Sequence, residues 1–240
     1  MSISKLFQSS VTLVKRDPIV LVPFLSFFFL SQVFHQHFPS FLGSQTEETS
    51  MTALTLLVAR WVVQLFVNGY TLFLVMGLLT SGVVNVSGAF KRTLARFLDL
   101  FLASSILMIP FVFLYFYTQF DFSKLGGLEL LVTFSILILF VPVSVMLQFI
   151  PVFIVDTSQS WQAVLFDTVA FIRRTLRELV WLYAAIFLIT LIALILSSLF
   201  FSVPLIGQAV MSGGVLAVSS TLISIMSFLF YRERKTTLTP

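Results

Sequence analysis

LVWLYAAIFLITLIALILSSLFF, residues 179–201, runs for twenty-three residues without a charge, and RRTLRE, residues 173–178, stands directly in front of it. About 20 apolar residues in helical form cross the hydrocarbon of a bilayer, which is about 30 Å thick. Arginines crowded at one border of such a run mark the cytoplasmic side, because lysine and arginine are retained there during insertion. This one stretch therefore predicts a transmembrane helix and gives it a direction.

The same grammar repeats outward from it. Apolar runs occur at about 18–34, 55–80, 98–117, 128–155, 179–201 and 206–231, which predicts six transmembrane helices. Lys5, Lys15 and Arg16 precede the first run; Lys91, Arg92 and Arg96 lie between the second and third. Arg173, Arg174 and Arg177 lie between the fourth and fifth, and Arg232, Arg234 and Lys235 follow the sixth. Twelve of the fourteen basic residues thus fall on one side; the loops opposite hold only Lys124, and Arg60 lies inside the second run. The expectation is an all-α, polytopic membrane bundle of residues 1–240 with both termini in the cytoplasm, placed in a bacterial or archaeal cell (inner) membrane. No small-x-small cleavage pattern follows the first run, so the mature chain is expected to start at or near Met1.

Composition agrees. The chain is 58% hydrophobic and only 10% charged, with 29 phenylalanines, so lipid must solvate much of its surface. A net charge of +4 would suit nucleic acid, but the basic residues sit in short groups beside apolar runs, where they meet anionic headgroups instead. Lys15, Arg16, Lys91, Arg92, Arg96, Arg173, Arg174 and Arg177 are the expected headgroup contacts. The absence of cysteine excludes disulfides, thiolate metal sites and a cysteine nucleophile.

Short amphipathic helices are expected on the cytoplasmic side. Ile3, Leu6, Phe7, Val11 and Val14 recur at helical spacing within residues 2–16, and a second such stretch covers 160–175. With the segment at Ala89–Arg96, each introduces a pair of spans; duplication and shared physical demands explain this pattern equally well. Pro110 and Pro142 are expected to kink their spans, and the long second tract to tilt, to extend beyond the bilayer or to break near Gly82.

Residues Phe7–Pro23 (an amphipathic helix, then Lys15-Arg16-Asp17-Pro18, then an apolar run with a proline) carry one half of a family resemblance. Pro151-Val152-Phe153-Ile154-Val155-Asp156, Trp161-Gln162-Ala163 and Arg173-Arg174 carry the other. On these, the chain resembles the poorly characterised six-helix proteins grouped with the membrane domain of glycerophosphoryl diester phosphodiesterases. Where that family tends to have a serine, this chain has Asp167-Thr168. The resemblance implies the six-helix layout and a cytoplasmic amphipathic helix after span 4. It implies no phosphodiesterase activity, because that chemistry belongs to a separate soluble barrel domain in fused proteins.

Within the spans, Arg60, Gln64, Asn68 and Thr71 form one stripe on a helix. They offer either a polar track or an interface anchor at Arg60 followed by structural hydrogen bonds. A candidate ion pair joins Arg60 to Glu129 at similar depth on the outer side. His35 and His37 would share one side of an extended strand, a weak metal signal without a third ligand. No catalytic motif, phosphate cradle, cofactor site or metal site is expected. Gly207, Gly213, Gly214, Ala217 and Ser220 permit close helix packing in span 6. The leading expectation is a non-enzymatic multi-pass protein that assists membrane or complex assembly or organises lipid. Its partners would be anionic lipid and a membrane protein or a second copy. A transport permease working with a separate ATPase is the alternative, and a membrane-embedded lipid enzyme stands third.

Overall fold

A computed structural model describes residues 2–37, 47–119, 143–200 and 205–238. Helices make up every regular element among them, and no strand occurs among the described residues. In chain order they are α1 (Ile3–Arg16), α2 (Val22–His37), α3 (Glu47–Ser81), α4 (Val86–Gln119), α5 (Val143–Asp156), α6 (Trp161–Ser198) and α7 (Leu205–Leu238). Three stretches are long and apolar enough to cross a bilayer: Val58–Ser81, Trp161–Ser198 and Val210–Lys235. Shorter apolar helical stretches cover Pro18–Gln32 and Val143–Asp156.

Local chemistry sets the breaks. Pro18 has no N–H to donate and disfavours helical geometry in the residue before it. Asp17 accordingly adopts an extended backbone (φ −145°, ψ 94°), and its carboxylate accepts from the Ile19 amide at 3.2 Å to start a single 3-10 turn, Pro18–Leu21. Gly82 ends α3 in the left-handed region (φ +74°), which side chains rarely adopt, and its amide donates to Leu78 O. Of the three ways to accommodate the long second tract, the chain breaks it here.

Two boundaries differ from expectation. The stretch 160–175 is no separate interfacial helix: it continues into the following span as the single 38-residue α6. Likewise Ala89–Arg96 is the start of α4, which continues unbroken through Pro110. The physical reason in α6 is composition. No glycine or proline interrupts 161–198, so charge marks a polarity border there without ending the helix. At 1.5 Å per residue α6 is about 57 Å long, and so must extend well beyond a bilayer's hydrocarbon. His35 and His37 lie in α2, so residues two apart do not share a face as they would in a strand. The start of the expected fourth span, with Pro142 and Glu129, lies outside the described residues, as do Lys124 and residues 38–46.

Tertiary contacts gather α1, the C-terminal ends of α3, α5 and α7, and the N-terminal ends of α4 and α6 at one end of the bundle. Leu13, Leu79 and Leu229 line one groove there, Tyr70 donates to Val86 O, and Tyr231 reaches Asp156. We call this the basic end. The larger core cluster spans it. Leu6 and Leu13 of α1 meet Leu72–Val75 and Leu78 of α3, Phe149–Val155 of α5, Phe171 of α6 and Phe228–Tyr231 of α7. A second, smaller cluster joins Phe24, Phe27 and Phe28 of α2 to Val67 and Ala217. There α2 and α7 approach closely at Gly213, where a Cβ would meet Phe28 and Phe29 main-chain atoms at 3.5–3.7 Å. Beyond Leu182, α6 buries only Ala193 and leaves Phe187, Leu188, Ile192 and Leu194–Leu196 exposed.

Candidate functional site: the basic end of the bundle

Three helices start at the basic end, and they start in the same register. Ser2, Asn85 and Ser160 stand at their N-caps; each main-chain carbonyl accepts from the amide four residues on, in Leu6, Ala89 and Val164. Those three are buried. Four residues further come Ser10, Thr93 and Thr168, all fully buried. Each hydroxyl donates back to the carbonyl four before it, at 2.8, 2.8 and 2.7 Å. A buried hydroxyl costs free energy unless it is paired; the back-bond removes that cost within one helix and keeps the side chain small enough for close packing.

Two arginines then reach across. Arg16 donates to Gly82 O at 3.1 Å. Arg96 donates to Gln159 O at 2.6 Å and to Thr157 O at 3.5 Å, and pairs with Asp99 at 2.9 Å. Gly82 and Thr157 each lie three residues before the next N-cap, Asn85 and Ser160. In both, a guanidinium neutralises carbonyls beyond a helix C-terminus, where the helix dipole is negative.

The end of α7 is held differently. Asp156 accepts from Tyr231 Oη at 3.1 Å and from Lys235 Nζ at 2.6 Å, and the Lys235 ammonium sits 5.7 Å from the Tyr231 ring centre. Arg234 pairs with Glu178 at 3.4 Å. Above this clasp runs a polar seam. Ser224 donates to Asn68 Oδ1 at 3.0 Å, and Gln148 donates to Ser227 Oγ at 3.1 Å, joining α3 and α5 to one face of α7.

The expected residues divide accordingly. In the stripe on α3, Arg60 and Gln64 are exposed, Asn68 is half-buried on Ser224, and Thr71 is buried with its hydroxyl on Val67 O. One helix face thus passes from the surface into the core where α7 begins to cover it. Of the expected headgroup contacts, Arg16 and Arg96 are engaged on carbonyls, whereas Lys15, Lys91, Arg92, Arg173, Arg174 and Arg177 are exposed. Sequence reading missed Gln148, Ser224 and Ser227, and it missed the Asp156–Tyr231–Lys235 clasp. The register of Ser2, Asn85 and Ser160 against Ser10, Thr93 and Thr168 was available as a signal eight residues apart.

Chemically, these groups are occupied by one another. Asp17 caps a turn, Asp99 holds Arg96, Asp156 holds Tyr231 and Lys235, and Glu178 holds Arg234. Among the described residues, no three histidine or acidic side chains gather as metal ligands. No protein family, curated protein or solved structure matches the chain.

Proposed function

We propose that this is a six-span membrane protein with both termini in the cytoplasm, and that it organises anionic lipid or assists assembly of a complex without performing catalysis. The six-helix family it resembles shares this layout, and membership in that family is part of the proposal. The observation that carries the reading is the split in use of charge at the basic end. Carboxylates, Arg16, Arg96, Arg234 and Lys235 are spent on holding helix ends together, while Lys15, Lys91, Arg92, Arg173, Arg174 and Arg177 stand exposed around the rim. Such a rim suits contact with phosphate headgroups. A transport permease with a separate ATPase is the second reading. It is favoured by Phe166, 76% exposed on the part of α6 nearest the α5–α6 turn, where a soluble subunit could engage.

Purification from native membranes, with bound lipid and protein identified, tests the two. Retained anionic lipid with a non-ATPase partner or none supports the organising role; an ATPase recovered in stoichiometric amount overturns it in favour of the permease. Topology is tested in this cysteine-free chain by single cysteines at Ser2 and Thr237. Both are expected to resist an impermeant thiol reagent in intact cells, and external labelling at either would refute cytoplasmic ends.

A further inference from the structure

The three matched helix starts do not spend their arginines alike. Arg16 stands fourteen residues after its N-cap and caps the end of α3; Arg96 stands eleven after its own and caps the end of α5. Arg174 stands fourteen residues after Ser160, in the position of Arg16, and should by analogy serve α7. There is no open carbonyl for it. At the level where Tyr231 meets the end of α5, α7 does not stop but continues as helix to Leu238, so its carbonyls there are bonded within the helix. Glu178, the nearest carboxylate in sequence, is already paired with Arg234. Arg173, Arg174 and Arg177 are left exposed, and among the described residues no carboxylate pairs with any of them.

We propose that these three guanidiniums, with Trp181, form a binding site for the phosphate of an anionic phospholipid. The site rests on the reading of α6 as a membrane span. Arg173, Arg177 and Trp181 follow at intervals of four and so make one stripe, with Arg174 beside it. The buried face of α6, through Phe171, Thr175 and Leu179, lies on the other side. Because α6 is one unbroken helix, depth along it is fixed. The uncharged stretch Leu179–Ser198 is about 30 Å long, one hydrocarbon thickness, which puts Arg177 and Arg173 about 3 and 9 Å outside it, at headgroup level. Trp181, 68% exposed, falls just inside that border, where indoles settle. Three cations in five residues repel one another until an anion joins them, and guanidinium pairs with phosphate through two parallel hydrogen bonds.

The test uses the full chain, purified in mild detergent and exchanged into mixtures of phosphatidylglycerol and phosphatidylcholine, with bound lipid counted by native mass spectrometry. Wild type is expected to retain phosphatidylglycerol selectively, and the Arg173→Gln, Arg174→Gln, Arg177→Gln variant to lose that retention by about tenfold or more. The corresponding lysine variant, which keeps the charge, should recover part of it and reports that the fold is intact. A Lys91→Gln, Arg92→Gln variant, which thins the rim away from α6, should lose several-fold less retention than the α6 glutamine variant. Equal losses in the two glutamine variants would overturn the site while leaving a diffuse lipid-organising rim in place. Displacement of the lipid by excess inorganic phosphate would overturn it in favour of a soluble anion. If wild type shows no preference between the two lipids, the site and the lipid-organising function fall together.

Discussion

The helices α1 and α6 begin alike and then part. Both place a serine at the N-cap, a buried aliphatic residue four positions on and a buried, back-bonded hydroxyl four beyond that: Ser2, Leu6, Ser10 against Ser160, Val164, Thr168. Three residues later each buries a large apolar side chain, Leu13 or Phe171. After that, α1 stops at Arg16 and re-enters through a 3-10 turn, whereas α6 runs on to Ser198. The difference comes down to Asp17-Pro18, for which α6 has no counterpart. An entry helix and a span are therefore separate pieces or one rod according to a single local breaker, while the packing face that anchors them stays the same. A separate piece can settle against its neighbours independently; a rod transmits any displacement of its entry segment to its far end.

The comparison can be attacked first at the anchoring face. Phe171 packs against the rings of Phe149, Phe153, Phe230 and Tyr231 at 5.4–6.1 Å. Phe171→Ala should cost about 3–5 kcal/mol of stability in detergent unfolding, and its register mate Leu13→Ala about 2–3. A smaller loss at Phe171 than at Leu13 would contradict the heavier anchoring of the rod. Next, the breaker can be moved. Thr175→Pro should cost about 3 kcal/mol and bend α6, read as a changed spin-label distance between positions 166 and 188. An unchanged distance would mean that continuity is not what distinguishes α6.

Weaker effects test the polar seam and the surface stripe. A double-mutant cycle on Asn68→Ala and Ser224→Ala should return a coupling of about 0.6 kcal/mol, the average for hydrogen bonds between membrane helices. Additivity would remove the seam as a link from α3 to α7. Smallest of all is Arg60. If it pairs with Glu129, Arg60→Leu and Glu129→Leu should couple by about 0.5 kcal/mol or more; independence leaves Arg60 as a snorkelling interface anchor.

What could be read in advance follows the range of the forces involved. Pro18 and Gly82 act on their own backbone, so both breaks are legible from sequence. The helical class also follows from composition and apolar run length. The sequence hides the unity of α6 because Arg173–Glu178 look like a boundary of structure but mark only a change in surroundings. Asn68 could be flagged as a polar group needing a partner, but Ser224 as that partner depends on how α3 and α7 cross, 156 residues apart in sequence. For the same reason nothing local in the sequence ties Asp156 to Tyr231 and Lys235, 75 and 79 residues further on.

Contact between α1, α2 and α7 also sets an order in time. The ribosome makes residues 3–37 before 205–238, yet Leu6 and Phe28 find part of their cover on α7, among residues such as Gly213 and Leu229. Until α7 has been synthesised and inserted, α1 and α2 have only the faces of α3, α5 and α6 to lie on and lack a large part of their cover. Closure of the bundle is thus a late event, and a chain interrupted before α7 would leave Phe28 and its neighbours without the face that Gly213 and Ala217 supply.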